Sequence, residues 1–440
     1  MSKVIHQHMH IHWDEITSEG GDIPAAEAPI RDKTTLVGRV GSMMLSCGTS
    51  AWRVRTAMNR ISRKLGMTCN VDIGLTTLVM TCFEKSNHYT LTVSLPSTGI
   101  NTDKIKNLEA FVDVFQERSA KYSVRQLHEI LDSIEKKKSN YSAWQLGLAS
   151  AFACAAFTFL LGGRIYEMLF AFFGAGVGNF VRKKLLERKI SLFANVALAV
   201  ASACATYALL ALLFEKLFGL LPVHHAGYIC AMLFIIPGFP LITGGIDLAK
   251  LDLKSGLERI TYAVLVILVA TLTGWATALM FNFNPEDFEA LHMSTPLLFA
   301  LRLIASFIGV YGFSLMFNST ARMALTAGLI GMTANVLRFV IIDFTSFPAA
   351  LAAFLGALCA GLMASVVSSR VGIPRISVTV PSIVIMVPGM LMYKAVYFLG
   401  TGDITSGSSF LINAVLIVIS LPLGLVFARF ITDPFFRHSS

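Results

Sequence analysis

Apolar and polar positions divide the chain near Tyr141. Beyond it, apolar runs fall near 142–162, 165–181, 192–213, 226–246, 258–281, 297–317, 323–342, 347–367, 377–398 and 409–430, separated by short polar loops. Each has about the twenty residues needed to cross a bilayer core, so the pattern predicts ten transmembrane helices. Before Tyr141 the periods are shorter. Val37, Val40 and Met44, then Val54, Met58, Ile61 and Leu65, recur at helical spacing, with Gly48 as an interruption and Gly66 as a C-cap. Runs rich in Val, Thr and Tyr follow at Thr68–Asp72, Thr76–Phe83 and Tyr89–Leu95 and predict strands, with Glu84 to His88 turning between the last two. Two helices complete this part. One begins near Thr102-Asp103; the other begins at Ser123, with Gln126 at the capping-box position.

The predicted organisation is a disordered tail over 1–32, an α+β domain over 33–141, and two membrane repeats over 142–290 and 291–440. The tail is polar, with Pro24, Pro29 and Gly20-Gly21. Its alternating His6, His8, His10 and His12 suit either a solvated tail or weak metal binding. No cofactor and no metal site are otherwise implied.

Composition agrees with a membrane protein: 55% of residues are hydrophobic and 14% charged. The net charge of +9 implies no nucleic-acid partner, because the basic residues lie in the N-terminal region or in loops flanking apolar runs. With the N-terminal domain placed in the cytoplasm, loops on that side carry thirteen Lys and Arg and those opposite carry only Arg164 and Lys216. That bias predicts a multi-pass membrane protein with both termini inside. The seven scattered cysteines form no CxxC pair and read as free thiols. The first thirty residues contain no apolar signal segment.

Two apolar runs are broken at matching places, Pro237-Gly238-Phe239-Pro240 and Pro388-Gly389-Met390. Proline removes a backbone donor and frees carbonyls, which a membrane helix tolerates only where protein or water satisfies them. The breaks lie 151 positions apart, as do Ser255-Gly256 and Ser406-Gly407; Asn179 and Asn335, each three residues before an arginine, lie 156 apart. Five spans per copy reverse the second copy, so an inverted repeat is expected, with a substrate site where the breaks meet. The fold class is thus a mainly α polytopic membrane protein, about ten helices in a five-plus-five inverted repeat, preceded by a small soluble α+β domain.

Candidate substrate-binding residues are Pro237, Gly238, Pro240, Gly244, Pro388, Gly389, Tyr393, Lys394, Asn179 and Asn335. Half-helix N-termini at the breaks point positive dipole ends at an anionic group. Asp247, two turns beyond the first break, is the proton-coupling candidate; the other reading is an interfacial aspartate paired with Lys250. Lys394 suits a substrate carboxylate or a snorkelling position. Arg338 is a candidate partner for Asp343. The soluble domain has Ser46, Asp72 and His88 but no nucleophile elbow, HExxH or paired carboxylates, so a regulatory or assembly role outranks an enzyme.

The chain resembles the threonine/serine exporter family. The likeness is carried by Leu45-Ser46-Cys47-Gly48-Thr49-Ser50-Ala51-Trp52-Arg53-Val54-Arg55, Gly99-Ile100-Asn101, Pro237-Gly238-Phe239-Pro240-Leu241 with Gly244, Asp247 and Leu248, and Val387-Pro388-Gly389 with Tyr393-Lys394. It runs over about 35–430. Arg55 departs from the glutamate expected there. The resemblance implies proton-driven antiport in a bacterial inner (plasma) membrane that exports small polar metabolites, with threonine and serine first. Related split systems handle dicarboxylates, which leaves succinate as an alternative substrate. A passive channel gated by the soluble domain is the second alternative. The partners implied are the solute, protons and the lipid bilayer; homo-oligomer formation is left open.

Overall fold

A computed structural model describes residues 11–13, 22–118, 122–219, 226–285, 288 and 291–437. The chain forms two compact units, Met1–Ser139 with Asp247–Arg259, and Asn140–Ile246 with Ile260–Ser440.

In the first unit the helical period from Leu36 to Leu65 resolves into α1 (Ile30–Ser46) and α2 (Ala51–Lys64). Gly48 breaks it at φ +82°, where a Cβ would meet the Gly99 carbonyl oxygen at 2.6 Å. Three strands form an antiparallel sheet in the order β1 (Thr68–Ile73), β2 (Thr77–Glu84), β3 (Asn87–Ser94). Leu78, Met80 and Cys82 alternate inward from β2 against α1. Helices α3 (Thr102–Arg118) and α4 (Val124–Glu135) follow, and Ser123 and Gln126 close the expected capping box at 3.3 and 3.0 Å.

Two features depart from expectation. Residues 22–29 are packed rather than featureless: Ala25 and Ala28 are buried, and the Ala25 N–H donates to the Tyr122 carbonyl at 3.1 Å. Their small side chains let the backbone approach its neighbour, and Pro29 then caps α1. Trp13 is also buried, its ring 5.9 Å from the Arg39 guanidinium. His6, His8, His10 and Gly20-Gly21 lie outside the described residues. Among the described residues no three His, Cys, Asp or Glu side chains gather as a metal site. Second, residues 247–259 group with the N-terminal unit rather than with the membrane repeat.

The second unit holds α5 (Ala143–Leu160), α6 (Ile165–Glu187), α7 (Leu192–Phe218), α8 (Gly227–Met232, extended by a 3-10 turn Leu233–Ile235), and most of α9 (Gly238–Ala249) and α10 (Leu253–Met280). It continues with α11 (Thr295–Met316), α12 (Ala321–Phe344), α13 (Ala349–Val371), α14 (Ile376–Val384), α15 (Gly389–Thr401), α16 (Ile404–Thr432) and the short α17 (Pro434–Arg437). Among the described residues, seven helices are long and apolar enough to cross a membrane, and two bent pairs raise the total to nine. The protein is a multi-pass membrane protein. The expected tenth span corresponds to α6, which has 23 residues but is made more polar by Glu167, Asn179, Arg182 and three glycines.

The two halves share an order of elements: three helices, a bent pair, and a long helix. Helices α6 and α12 start 156 positions apart, while α9 and α15, like α10 and α16, start 151 apart. The same tie recurs in each half. Asn179 Nδ2 donates to the Leu146 carbonyl on α5 at 2.8 Å, and Asn335 Nδ2 donates to Ser306 Oγ on α11 at 2.9 Å.

Candidate functional site

The Pro-Gly breaks bend their helices by 59° and 53°. Their hydrogen bonds match residue for residue. Gly238 N–H donates to the Ile236 carbonyl at 2.8 Å and Gly389 N–H to that of Val387 at 2.9 Å. Leu241 N–H donates to Pro237 and Met392 N–H to Pro388, at 3.1 and 3.0 Å. The carbonyls of Leu233 and Val384, which Pro237 and Pro388 leave without their usual donors, accept instead from the Ile236 and Val387 N–H groups, both at 3.1 Å.

The breaks also pack against each other. A Cβ on Gly238 would meet Val384 Cγ2 at 2.6 Å and Val387 Cγ2 at 3.2 Å; one on Gly389 would meet Leu233 Cδ2 at 2.7 Å and Ile236 Cγ1 at 3.2 Å. Leu233 and Ile236 are the 151-residue counterparts of Val384 and Val387. Phe157 and Phe313, 156 apart, close the same crossing edge to face at 6.4 Å. The crossing is apolar and tightly filled. Pro237, Pro240 and Pro388 are half-buried beside it, and Gly244 is buried farther along α9.

Polar side chains gather on the segments around the crossing. Tyr228 on α8 and Tyr393 on α15 share a hydroxyl–hydroxyl hydrogen bond of 2.7 Å. Lys394, 2% exposed, sets its ammonium 5.5 Å from the centre of the Phe410 ring. Glu167 at the start of α6 is 3% exposed, and its carboxylate accepts from the Arg164 N–H at 2.9 Å. Tyr393 thus meets Tyr228, and Glu167 is a buried carboxylate of the same unit; the sequence reading named neither Tyr228 nor Glu167. Asn179 and Asn335 instead spend their amide donors on helix–helix ties. Asp343 pairs with Arg302, not Arg338; Arg338 and Arg302 both pack on Phe339.

Asp247 belongs to a different constellation, within the first unit. It is fully buried and pairs with Arg259 Nε at 3.1 Å, not with the Lys250 ammonium. One carboxylate oxygen accepts from Ser255 Oγ at 3.0 Å, the other from the Ala51 N–H at 2.9 Å. Ala51 opens α2, so the negative charge meets the positive end of that helix. Arg259 extends the clamp, donating to the carbonyls of Gly48 and Thr49 at 3.3 and 2.8 Å. Arg55 pairs with Asp252 at 2.6 Å, which gives the unexpected arginine in the motif a structural partner. Neither Ser255 nor Arg259 was foreseen as Asp247's partner, although the Ser255-Gly256 match between the halves had marked that turn.

A profile of the family described as "Putative threonine/serine exporter" matches residues 35–282, more than half the chain. The chain belongs to the threonine/serine exporter family. A second profile, described as "Threonine/Serine exporter, ThrE", matches residues 302–431. The "Probable threonine/serine exporter" of Mycobacterium tuberculosis is 24% identical over 420 residues, spanning 90% of this chain and 75% of that protein. The "Probable succinate transporter subunit YjjP" of Escherichia coli K12 is 26% identical over 259 residues, spanning 56% of this chain and 95% of that subunit. No solved structure matches the chain. The family makes this protein a membrane exporter, and the matched stretch of residues 35–282 contains both the Asp247 constellation and the first break.

Proposed function

We propose that this exporter is a proton-coupled secondary transporter that moves small polar amino acids such as threonine and serine out across the bacterial inner membrane. The observation that carries the reading is the reciprocal crossing at Gly238 and Gly389. Two helices broken at corresponding points and packed on each other supply a pivot between the halves. Five spans per half make the second half enter from the opposite face, and rocking of the halves about the crossing gives alternating access. Both termini face the cytoplasm, as the basic loops favour.

Asp247 is the proton-coupling group of this proposal. Protonation neutralises its ion pair with Arg259 and releases the clamp on the start of α2. The matched succinate transporter subunit favours a second reading, in which the solute is a dicarboxylate. Purified protein in liposomes loaded with labelled threonine, serine or succinate, under an imposed pH gradient, tests both. Threonine and serine efflux that rises with the gradient is the expected result. Flux indifferent to the gradient refutes coupling, and flux of succinate alone selects the second reading.

A further inference from the structure

Cys69 on β1 and Cys82 on β2 are direct partners in the antiparallel sheet. The Gly74 N–H donates to the Thr77 carbonyl at 2.8 Å, which makes Gly74 and Thr77 a hydrogen-bonded pair. Hydrogen-bonded and non-hydrogen-bonded partners alternate along such a ladder. Cys69 lies an odd number of steps from Gly74, as Cys82 does from Thr77, so the two cysteines form a non-hydrogen-bonded pair. Partners of that kind have Cα atoms about 4.5 Å apart, within the roughly 4.4–6.8 Å that a disulfide spans. Both side chains take the inward face, with Val71 and Ile73 on β1 and Leu78 and Met80 on β2. Cys82 is fully buried, whereas Cys69 is half-buried on a strand at the edge of the sheet. Solvent therefore reaches one sulfur of the pair.

The same hairpin holds the segment that carries the Asp247 constellation. The Leu75 N–H in its turn donates to Glu258 Oε2 at 2.5 Å, and Asp72 on β1 pairs with Lys254 at 2.6 Å. Lys254 and Glu258 stand in the opening turns of α10, just before Arg259.

We propose that Cys69 and Cys82 are a redox-active pair, closed to a disulfide by a hydroperoxide and reopened by a dithiol. Cys69 loses its proton to solvent and attacks the peroxide oxygen. The O–O bond breaks, leaving a sulfenic acid on Cys69 and an alcohol, or water from hydrogen peroxide. The Cys82 sulfur, losing its proton, attacks the sulfenic sulfur; the S–O bond breaks and water leaves. Two thiols are oxidised by two electrons, and the peroxide is reduced by two. The new bond closes a loop that contains the turn, and so restricts β1 against β2. It thereby fixes the arm that holds Lys254 and Glu258, and oxidation slows export. In the arrangement that the basic loops favour, this unit faces the cytoplasm, where disulfides are mostly transient and redox-sensing.

The test uses full-length protein in liposomes, treated with hydrogen peroxide and then with a thiol-blocking reagent. No Lys or Arg lies between Lys64 and Lys85, so both cysteines fall in one tryptic peptide, Leu65–Lys85. After peroxide that peptide is expected two hydrogens lighter and unblocked at both sulfurs, and dithiothreitol should return both to blocking. Threonine efflux, a readout that rests on the exporter reading above, is expected to fall at least twofold and to recover with dithiothreitol. Cys69→Ser should keep its efflux under peroxide. A peptide still blocked twice after peroxide, or one that only gains oxygen at a single sulfur, overturns the pair; this is read on the wild-type chain and needs no variant to fold. A disulfide that forms with efflux unchanged, or an equal loss of efflux in Cys69→Ser, overturns the effect on export. A reduced protein that moves no threonine overturns the exporter reading, and the peptide still decides the pair.

Discussion

Phe398 and Phe410 stack with ring centroids 5.5 Å apart, at the two positions that 151 residues earlier hold Asp247 and Arg259. One contact is built twice, once as an apolar stack and once as an ion pair. The helical hairpin needs some pairing there to fix α9 against α10 and α15 against α16, and two aromatic rings supply it without desolvating charge. The first copy instead buries an aspartate and an arginine, which together gain little over an apolar pair of similar volume. Only the charged version can hold the Ala51 N–H and the Gly48 and Thr49 carbonyls, and only it can change with protonation.

Asp247→Asn should therefore have two separable effects. It leaves Arg259 buried without its counter-ion, a loss of about 3–5 kcal/mol of stability by analogy with broken buried pairs. It also removes the titratable charge, so pH-driven flux should fall further than the amount of folded protein does. Asp247→Asn/Arg259→Gln should recover much of the stability while flux stays uncoupled. Thermal unfolding in detergent, alongside gradient-driven threonine efflux, separates the two. Wild-type pH dependence in Asp247→Asn would move the coupling role elsewhere.

Acid should loosen the first unit through another arginine. Arg39 is buried on α1 and binds Asp132 and Glu135 on α4, the latter at 2.8 Å. Its guanidinium, with help from Lys136, holds the Asp132 carboxyl below the usual carboxylate range. A depressed folded pKa contributes stability that is complete above the unfolded value, near 4, and is lost as pH falls through the folded value. Limited proteolysis of the whole protein should show α4 cut faster below about pH 4. Asp132→Asn should be cut faster already at neutral pH and respond less to acid. An identical acid response in the variant would remove Asp132 from the explanation.

The elements of this protein were largely legible because their signals are local. Gly48, the Val- and Thr-rich strands, the Ser123 box and both Pro-Gly breaks each carry their own cue. The partners were not. Asp247 lies twelve residues from Arg259 and nearly two hundred from Ala51, and neither distance leaves a mark in an apolar pattern. Lys250 looked the better partner because it was nearer along the chain. Glu167 was passed over because it follows Arg164 at a span end, where charge reads as an interfacial anchor. Tyr228 was hidden among aromatic residues that mostly fill space. Residues 22–29 read as a tail since alanine and proline carry no periodic face; they pack because they are small.

The orientation has a direct check. Lys184 near the end of α6 and Asp403 before α16 are both exposed and fall on opposite sides of the membrane in the arrangement that the basic loops favour. In a background with the native cysteines replaced by serine, Lys184→Cys should resist an impermeant maleimide on intact cells and label after permeabilisation. Asp403→Cys should label without permeabilisation. The reverse pattern would invert the proposed topology, and labelling of both from outside would break the count of spans between them.

The crossing makes the sharpest packing prediction. Gly238 faces Val384 and Val387, and Gly389 faces Leu233 and Ile236, each approach too close for a Cβ without movement. Gly238→Ala and Gly389→Ala should each lower stability by about 1–3 kcal/mol, the usual cost of overpacking. Relief should be specific to the facing residue. Val384→Ala should restore Gly238→Ala but not Gly389→Ala, and Leu233→Ala should do the opposite. Double-mutant cycles on unfolding in detergent would then show coupling within each pair and near-additivity across pairs. Flux carries the second half of the argument. If the halves turn about this contact, the single alanine variants should lose flux beyond their loss of folded protein, and each rescuing partner should return both. Coupling energies near zero within both pairs would mean the backbones do not meet at the glycines, and the pivot would have to be sought at another crossing.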